Sequence, residues 1–209
     1  MNNDIVTHYD RLARQYDHRW HSYVSQTLGR AIEATRLSGT ERILDVGCGT
    51  GEFERMALAR FPHLAMTGID IAPGMITVAQ EKLADQSQAR FGIATAERLP
   101  FALETFDVVV CANVLHHVQD LQPVLQEFLR VLRPGGRLVL VDWCLDFWHC
   151  RLMHYWLRLS HPHYTQMPRL VELRDILGKL GVTIDRAAHF IAMPFYGMLW
   201  IVAEKIGCR

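Results

Sequence analysis

The sequence predicts a doubly wound α/β domain: a mostly parallel seven-stranded sheet, a helical cap before it, and an insert after the fifth strand. Three observations carry that reading. From Arg42 onward, seven short runs rich in β-branched residues alternate with segments of helical periodicity. The first run leads directly into a glycine-rich loop, "DVGCGTG", which sits where a strand turns into a helix. The opening forty residues are helix-compatible and precede the strands instead of interleaving with them.

The elements follow in order. "THYDRLARQYDHRWHSYVSQTLGRAIEATRL" holds two helix-compatible segments and ends at the loop "SGTE". The strand-like runs are "RILDV", "MTGIDI", "ARFGIA", "FDVVVCA", "RLVLVDW", "TIDRAAHFIA" and "LWIVAEKI". Phe53, Met56, Ala57 and Arg60 form a helical stripe closed by Pro62. A second stripe, Val124, Leu125, Phe128 and Leu132, ends at "RPGG". A third, Leu170, Leu173, Leu177 and Leu180, stops at Gly181. The segment between the fifth strand and the third stripe is too long for an ordinary loop. Its Trp148, Leu152, Tyr155, Trp156 and Leu159 share one helical face, with Arg151, His154 and Arg158 on another. The predicted organisation is therefore one domain, 1–209, comprising a cap (1–40), a ligand-binding core (41–142), an insert (143–168) and the rest of the sheet (169–209).

Composition narrows the function. Of 209 residues half are apolar, enough for one substantial core, and 22 basic residues balance 22 acidic ones. That balance leaves no broad cationic field for nucleic acid. No apolar run is long enough to span a bilayer and the N-terminus lacks a secretory pattern, so a cytoplasmic location is expected. Cys48, Cys111, Cys144, Cys150 and Cys208 are odd in number and scattered, which points to reduced, mostly buried thiols.

The glycine loop discriminates among ligands. A Walker loop needs GxxxxGK[ST], and no lysine follows Gly51. A dinucleotide fingerprint needs a third glycine where Glu52 stands, and that carboxylate faces a pyrophosphate badly. Gly47, Gly49 and Gly51 with Asp45 just before them suit a ligand without phosphate that carries an ammonium group. Asp70 ends the second strand, where a carboxylate can accept hydrogen bonds from both ribose hydroxyls.

"ILDVGCGTGEF", "GIDIAPGMI", "AERLPF", "FDVVVCANVLHHV" and "VLRPGGRLVLVD" resemble, in order and spacing, the motifs of class I S-adenosylmethionine-dependent methyltransferases, in particular the type 11 small-molecule group. The resemblance covers roughly residues 40–142. It implies a Rossmann-like fold, S-adenosylmethionine as cofactor and a small, aromatic or apolar methyl acceptor. It further implies that Asp45, Gly47 and Gly49 contact the methionine moiety, that Asp70 holds the ribose and that Ile71 and Met75 pack beside the adenine. Ala96 falls at the adenine edge, and the Asn113 backbone faces the amino group. Thr95 stands where relatives carry an aspartate for the adenine amine, and its hydroxyl becomes the acceptor. Tyr9 and Tyr16 of the cap fall near the methionine carboxylate.

His117, just past the fourth strand, is the candidate general base, with a loop-orienting hydrogen bond as the alternative role. Asp142 and Trp143 are placed to line an acceptor site, or else to cap a loop and fill the core. The insert histidines, His149, His154, His161 and His163, read as a polar rim over an aromatic pocket, so no metal site is expected. The aromatic stripe of the insert is expected to wall that pocket, with packing onto the core or a homodimer contact as alternatives. Besides an enzyme, the pattern admits a non-catalytic cofactor-binding sensor or scaffold, and a nicotinamide oxidoreductase disfavoured by Glu52.

Overall fold

The computed structural model describes residues 3–161 and 164–207; His163 and Cys208 lie outside the described residues. The helix α1 (Asn3–Thr35) precedes β1 (Arg42–Val46), α2 (Glu52–Arg60), β2 (Ala65–Asp70), α3 (Pro73–Lys82) and β3 (Ala89–Ile93). Next come β4 (Phe106–Ala112), the short 3₁₀ turn Leu115–His117, α4 (Leu121–Val131), β5 (Leu132–Trp143) and α5 (Trp148–Ser160). The chain ends with α6 (Leu170–Lys179), β6 (Val182–Ala192) and β7 (Tyr196–Lys205).

The seven strands form one sheet in the order β3-β2-β1-β4-β5-β7-β6. Strands β1 to β5 pair in parallel, and β7 lies antiparallel between β5 and β6. The order reverses beside β1, leaving a crevice beyond the carboxyl ends of β1, β2 and β4. Alternation along each strand sorts the core into two layers. Ile43, Val108, Val110, Val139 and Val141 meet α2 and the second half of α1. Leu44, Val109, Cys111, Leu138 and Leu140 meet α4 and α6 on the other face.

Three sequence expectations change. The cap is one 33-residue helix instead of two segments, because the polar stretch through its middle is the solvent side of a continuous helix. Its C-terminal half buries Tyr23, Val24, Leu28, Ala31 and Ile32. The second stripe ends one residue early: α4 stops at Val131, and Leu132 pairs with Phe106 as the first residue of β5. The aromatic stripe of the insert faces outward. The inner side of α5 is taken by Cys150, Met153 and Leu157, which pack on Trp143, Phe147, Tyr164 and Met167 as a small satellite core. Cys48, Cys111, Cys144 and Cys150 are free, buried thiols. Among the described residues, no helix is long and apolar enough to cross a membrane.

Candidate active site

The loop after β1 is shaped by its glycines. Gly47 adopts a φ of 77°, a left-handed conformation, and a Cβ there would come within 2.2 Å of Val114 Cγ2. The N–H groups of Gly47 and Cys48 both donate to the Ile69 carbonyl, at 2.8 and 2.9 Å, and clamp the loop against the end of β2. Gly51, also left-handed, opens α2 tight against Ala79, Leu83 and Phe91.

Asp70 organises the same corner from β2. Its Oδ2 accepts from the Gly49 N–H at 3.0 Å and its Oδ1 from the Ala72 N–H at 2.9 Å. Burial pushes its pKa upward against the opposing pull of those N–H groups. Asp45, on β1, is only 3 % exposed. Burial, then the nearby charge of Asp70, push its pKa up to about 8. Among the described residues neither acid has a salt-bridge partner, so two carboxylates face one crevice without a protein cation.

The crevice encloses about 550 Å³. The ten candidate cofactor contacts and the candidate base line it: Tyr16, Asp45, Gly47, Gly49, Asp70, Ile71, Met75, Thr95, Ala96, Asn113 and His117. Asn113 has a φ of 61°, and its side chain is fixed from α1: Oδ1 accepts from Tyr23 Oη at 2.7 Å, and Nδ2 donates to Thr27 Oγ1 at 3.0 Å. Tyr16, packed on Ala13, Ala72 and Met75, has its phenol pushed up to about 12 by burial and then by Asp70.

His117 closes one side, and its Nε2 lies 2.7 Å from Tyr9 Oη. Burial, then Tyr16 and Asp70, push the Tyr9 phenol far above its ordinary range, so it remains protonated. His116 points elsewhere, stacking on Trp143 at 4.2 Å between ring centroids, while its Nδ1 sits 2.7 Å from Asp142 Oδ1. Asp142 is fully buried and also accepts from the Leu115 N–H at 2.6 Å and the Trp143 N–H at 2.7 Å. Asp142 caps the turn after β4, and the ring of Trp143 stacks between His116 and Tyr196. Neither residue lines the crevice.

Two features escaped the sequence. Lys82, at the end of α3, bonds Asp17 of α1 at 2.5 Å, Thr50 of the loop at 3.1 Å and Glu52 at 3.3 Å. That cluster staples the cap helix over the glycine loop. It also revises the part played by Glu52. Burial alone would raise its pKa, but Arg55 at 2.7 Å and Lys82 hold it below the ordinary range, so its charge is compensated within the protein. The stronger objection to a pyrophosphate comes from Asp45 and Asp70. The second feature is which residue of the insert reaches the crevice: Thr165 lines it, its hydroxyl shared between the carbonyls of His116 and Val118, both at 2.9 Å. The aromatic residues Trp148, Tyr155 and Trp156 do not. Among the insert histidines, His154 Nδ1 lies 2.5 Å from Tyr164 Oη. Cys144, Asp146 and His189 come together, but Asp146 is engaged by the Leu170 N–H at 3.0 Å and by His189 at 2.7 Å, as a loop cap.

The crevice fits the cofactor that the sequence motifs imply. Buried Asp45 and half-buried Asp70, without a salt-bridge partner among the described residues, favour a cationic ligand, and the volume is that of a typical small-molecule site.

The family described as Methyltransferase domain matches residues 44–140. A ubiquinone/menaquinone biosynthesis C-methyltransferase of Geobacter sulfurreducens is 35% identical over 150 residues, covering 68% of this chain and 56% of the relative. The 27-O-demethylrifamycin SV methyltransferase of Amycolatopsis mediterranei is 37% identical over 163 residues, covering 68% and 59%. The chain thus spans between half and two thirds of the length of these relatives. Among solved structures, geranyl diphosphate C-methyltransferase from Streptomyces coelicolor A3(2), in complex with Mg2+, geranyl diphosphate and S-adenosyl-L-homocysteine, superposes with a TM-score of 0.74 at 16% identity. The match covers 87% of this chain and 78% of that one. With its matched domain, its glycine loop and its strand order taken together, this chain belongs to the class I S-adenosylmethionine-dependent methyltransferase family.

Proposed function

We propose that this protein transfers a methyl group from S-adenosylmethionine to a small, aromatic or largely apolar acceptor in the cytoplasm. The observation that carries the reading is the pair of acids, buried Asp45 and half-buried Asp70, facing one crevice with no salt-bridge partner among the described residues. When bound, the cofactor supplies a methyl group made electrophilic by an adjacent sulfonium. Asp70 would hold the ribose, and Asp45 with the backbone of Gly47 and Gly49 would hold the methionine end. Ile71 and Met75 would flank the adenine, and Thr95 with Ala96 would meet its edge.

The chain's own tasks in such a displacement are alignment and exclusion of water. The cap helix supports both: Ile5, Tyr9 and Tyr16 form one wall, and the Asp17–Lys82 contact holds that wall in place. His117 is the residue to accept a proton from an acceptor hydroxyl or acidic carbon. An acceptor that delivers its proton to Nε2 replaces Tyr9 as that nitrogen's partner. The named acceptors of the relatives, in quinone biosynthesis and a rifamycin, support an aromatic or apolar substrate class.

The experiment is incubation of the purified protein with methyl-labelled S-adenosylmethionine and a panel of quinols, phenols and aliphatic acceptors, with labelled products identified by mass spectrometry. Label in an aromatic or apolar product supports the proposal. Tight cofactor binding with no transfer to any acceptor class would instead mark a sensor or scaffold.

A further inference from the structure

The insert helix α5 has two apolar faces, and the domain uses only one. Cys150 and Leu157 face inward. On the opposite side Trp148, Leu152, Tyr155, Trp156 and Leu159 are 72, 64, 69, 59 and 90% exposed. At 3.6 residues per turn these five side chains fall within about 100° of arc, one continuous strip roughly three turns long. A strip of that size on a soluble domain marks an interaction surface.

The charges beside the strip identify its partner. Arg151 and Arg158 lie on one edge, one on each of two turns, and the helix from Trp148 to Ser160 contains no acidic residue. The whole chain is charge-balanced, so this all-cationic helix is a local feature. Trp and Tyr mixed with Leu, bordered by long cationic side chains, is the chemistry of a helix lying at the boundary between headgroups and acyl chains. There the rings sit at headgroup depth while the guanidinium groups reach outward to phosphate. A second copy is the poorer occupant: self-association would bring two acid-free, arginine-edged faces together with no carboxylate on the helix to answer them.

We propose that α5 is a membrane-docking helix that seats this protein on an anionic lipid bilayer, parallel to the surface and without spanning it. Independently of which acceptor is methylated, docking would orient the end of the insert, where Thr165 meets the crevice, relative to the lipid surface.

The test is sedimentation of the full chain with vesicles of phosphatidylcholine alone and of phosphatidylcholine mixed with phosphatidylglycerol, at low and high salt, with light scattering of the lipid-free protein alongside. Binding is expected to the anionic vesicles, weaker by about tenfold or more on neutral vesicles or at high salt. Leu159→Asp, at the most exposed position of the strip, should abolish binding while leaving the thermal unfolding midpoint unchanged. Arg158→Glu should weaken it on anionic vesicles only. Protein that stays in the supernatant with both vesicle types overturns the proposal, as does binding indifferent to lipid charge and to both substitutions. A lipid-free dimer that Leu159→Asp dissociates, without vesicle binding, assigns the face to a second copy and overturns it equally.

Discussion

Tyr9 Oη and His117 Nε2 lie 2.7 Å apart, joining the cap helix to the turn after β4 across 108 residues of sequence. The phenol is held protonated by burial, so Tyr9 acts on His117 through a hydrogen bond and not as a charge. His117→Ala should lower turnover by about 10²-fold or more with a hydroxyl or carbon acceptor, with cofactor affinity changed little. Tyr9→Phe keeps the ring and removes the bond, and should shift the pH–rate profile while retaining more activity than His117→Ala. Steady-state kinetics over a pH series decides. Full turnover in a folded His117→Ala variant would reduce this histidine to a loop-orienting role.

Gly47 and Val114 make a second checkable pair. An alanine at position 47 meets Val114 Cγ2 at 2.2 Å on a backbone with φ 77°. Left-handed strain contributes roughly 1 to 2 kcal/mol and overpacking about 1 to 3 kcal/mol more. Gly47→Ala should therefore destabilise the fold in chemical denaturation. The same substitution in a Val114→Ala background should cost less, because the clashing methyl groups are gone. Strictly additive effects in that cycle would mean the close approach is relieved in another way.

Much of this architecture was legible in local pattern, and the misses have two causes. Alternation along Ile43–Val46, Val108–Cys111 and Leu138–Val141 reports both core layers directly, since each side chain's neighbours are set by period two. Most crevice residues were legible because they lie at or just past the carboxyl ends of β1 to β4, within the motifs that carry the family resemblance, while Tyr16 on α1 was named through that resemblance alone. The Lys82 cluster and the Tyr9–His117 bond were not, since both join residues distant in sequence that nothing but the fold brings together. The orientation of α5 was illegible for a different reason. Periodicity shows that Trp148, Tyr155 and Trp156 share a face, but a helix with a second small apolar stripe, Cys150 and Leu157, can bury either one.

Thr95 lines the crevice, and the resemblance implies at its position an acidic residue for the adenine amine. If its hydroxyl is the acceptor for the adenine amine, Thr95→Val should weaken cofactor binding by about 0.5 to 1.5 kcal/mol, and Thr95→Asp should leave it equal or stronger. Calorimetry on the two variants reads the direction. Unaltered affinity in both would leave adenine recognition to Ile71, Met75 and backbone groups.

Asp45 makes binding depend on pH. Its folded-state pKa of about 8 lies above the ordinary carboxylate range, so between roughly pH 4 and 8 the native protein holds a proton that the unfolded chain has released. Over that window stability should fall as pH rises, and Asp45→Asn should flatten the slope. A cationic ligand favours the ionised carboxylate, so binding should release a proton below pH 8. Affinity for S-adenosylmethionine should rise with pH, by at most about tenfold per unit, and level off above it. Titrations in buffers of different ionisation enthalpy count the protons released. No proton release near pH 6.5 would show that Asp45 is already ionised in the free protein.

Asp70 carries the central claim, because it both ties Gly49 and Ala72 into place and offers a carboxylate to the crevice. The decisive measurement is isothermal titration of the purified protein and its Asp70→Ala variant with S-adenosylhomocysteine, alongside circular dichroism to confirm that the variant is folded. Saturable one-to-one binding to the wild type is expected, weakened in the variant by about 1.5 to 3 kcal/mol, the worth of charge-assisted hydrogen bonds to a ribose. No binding to the wild type, or equal affinity in the folded variant, would contradict it.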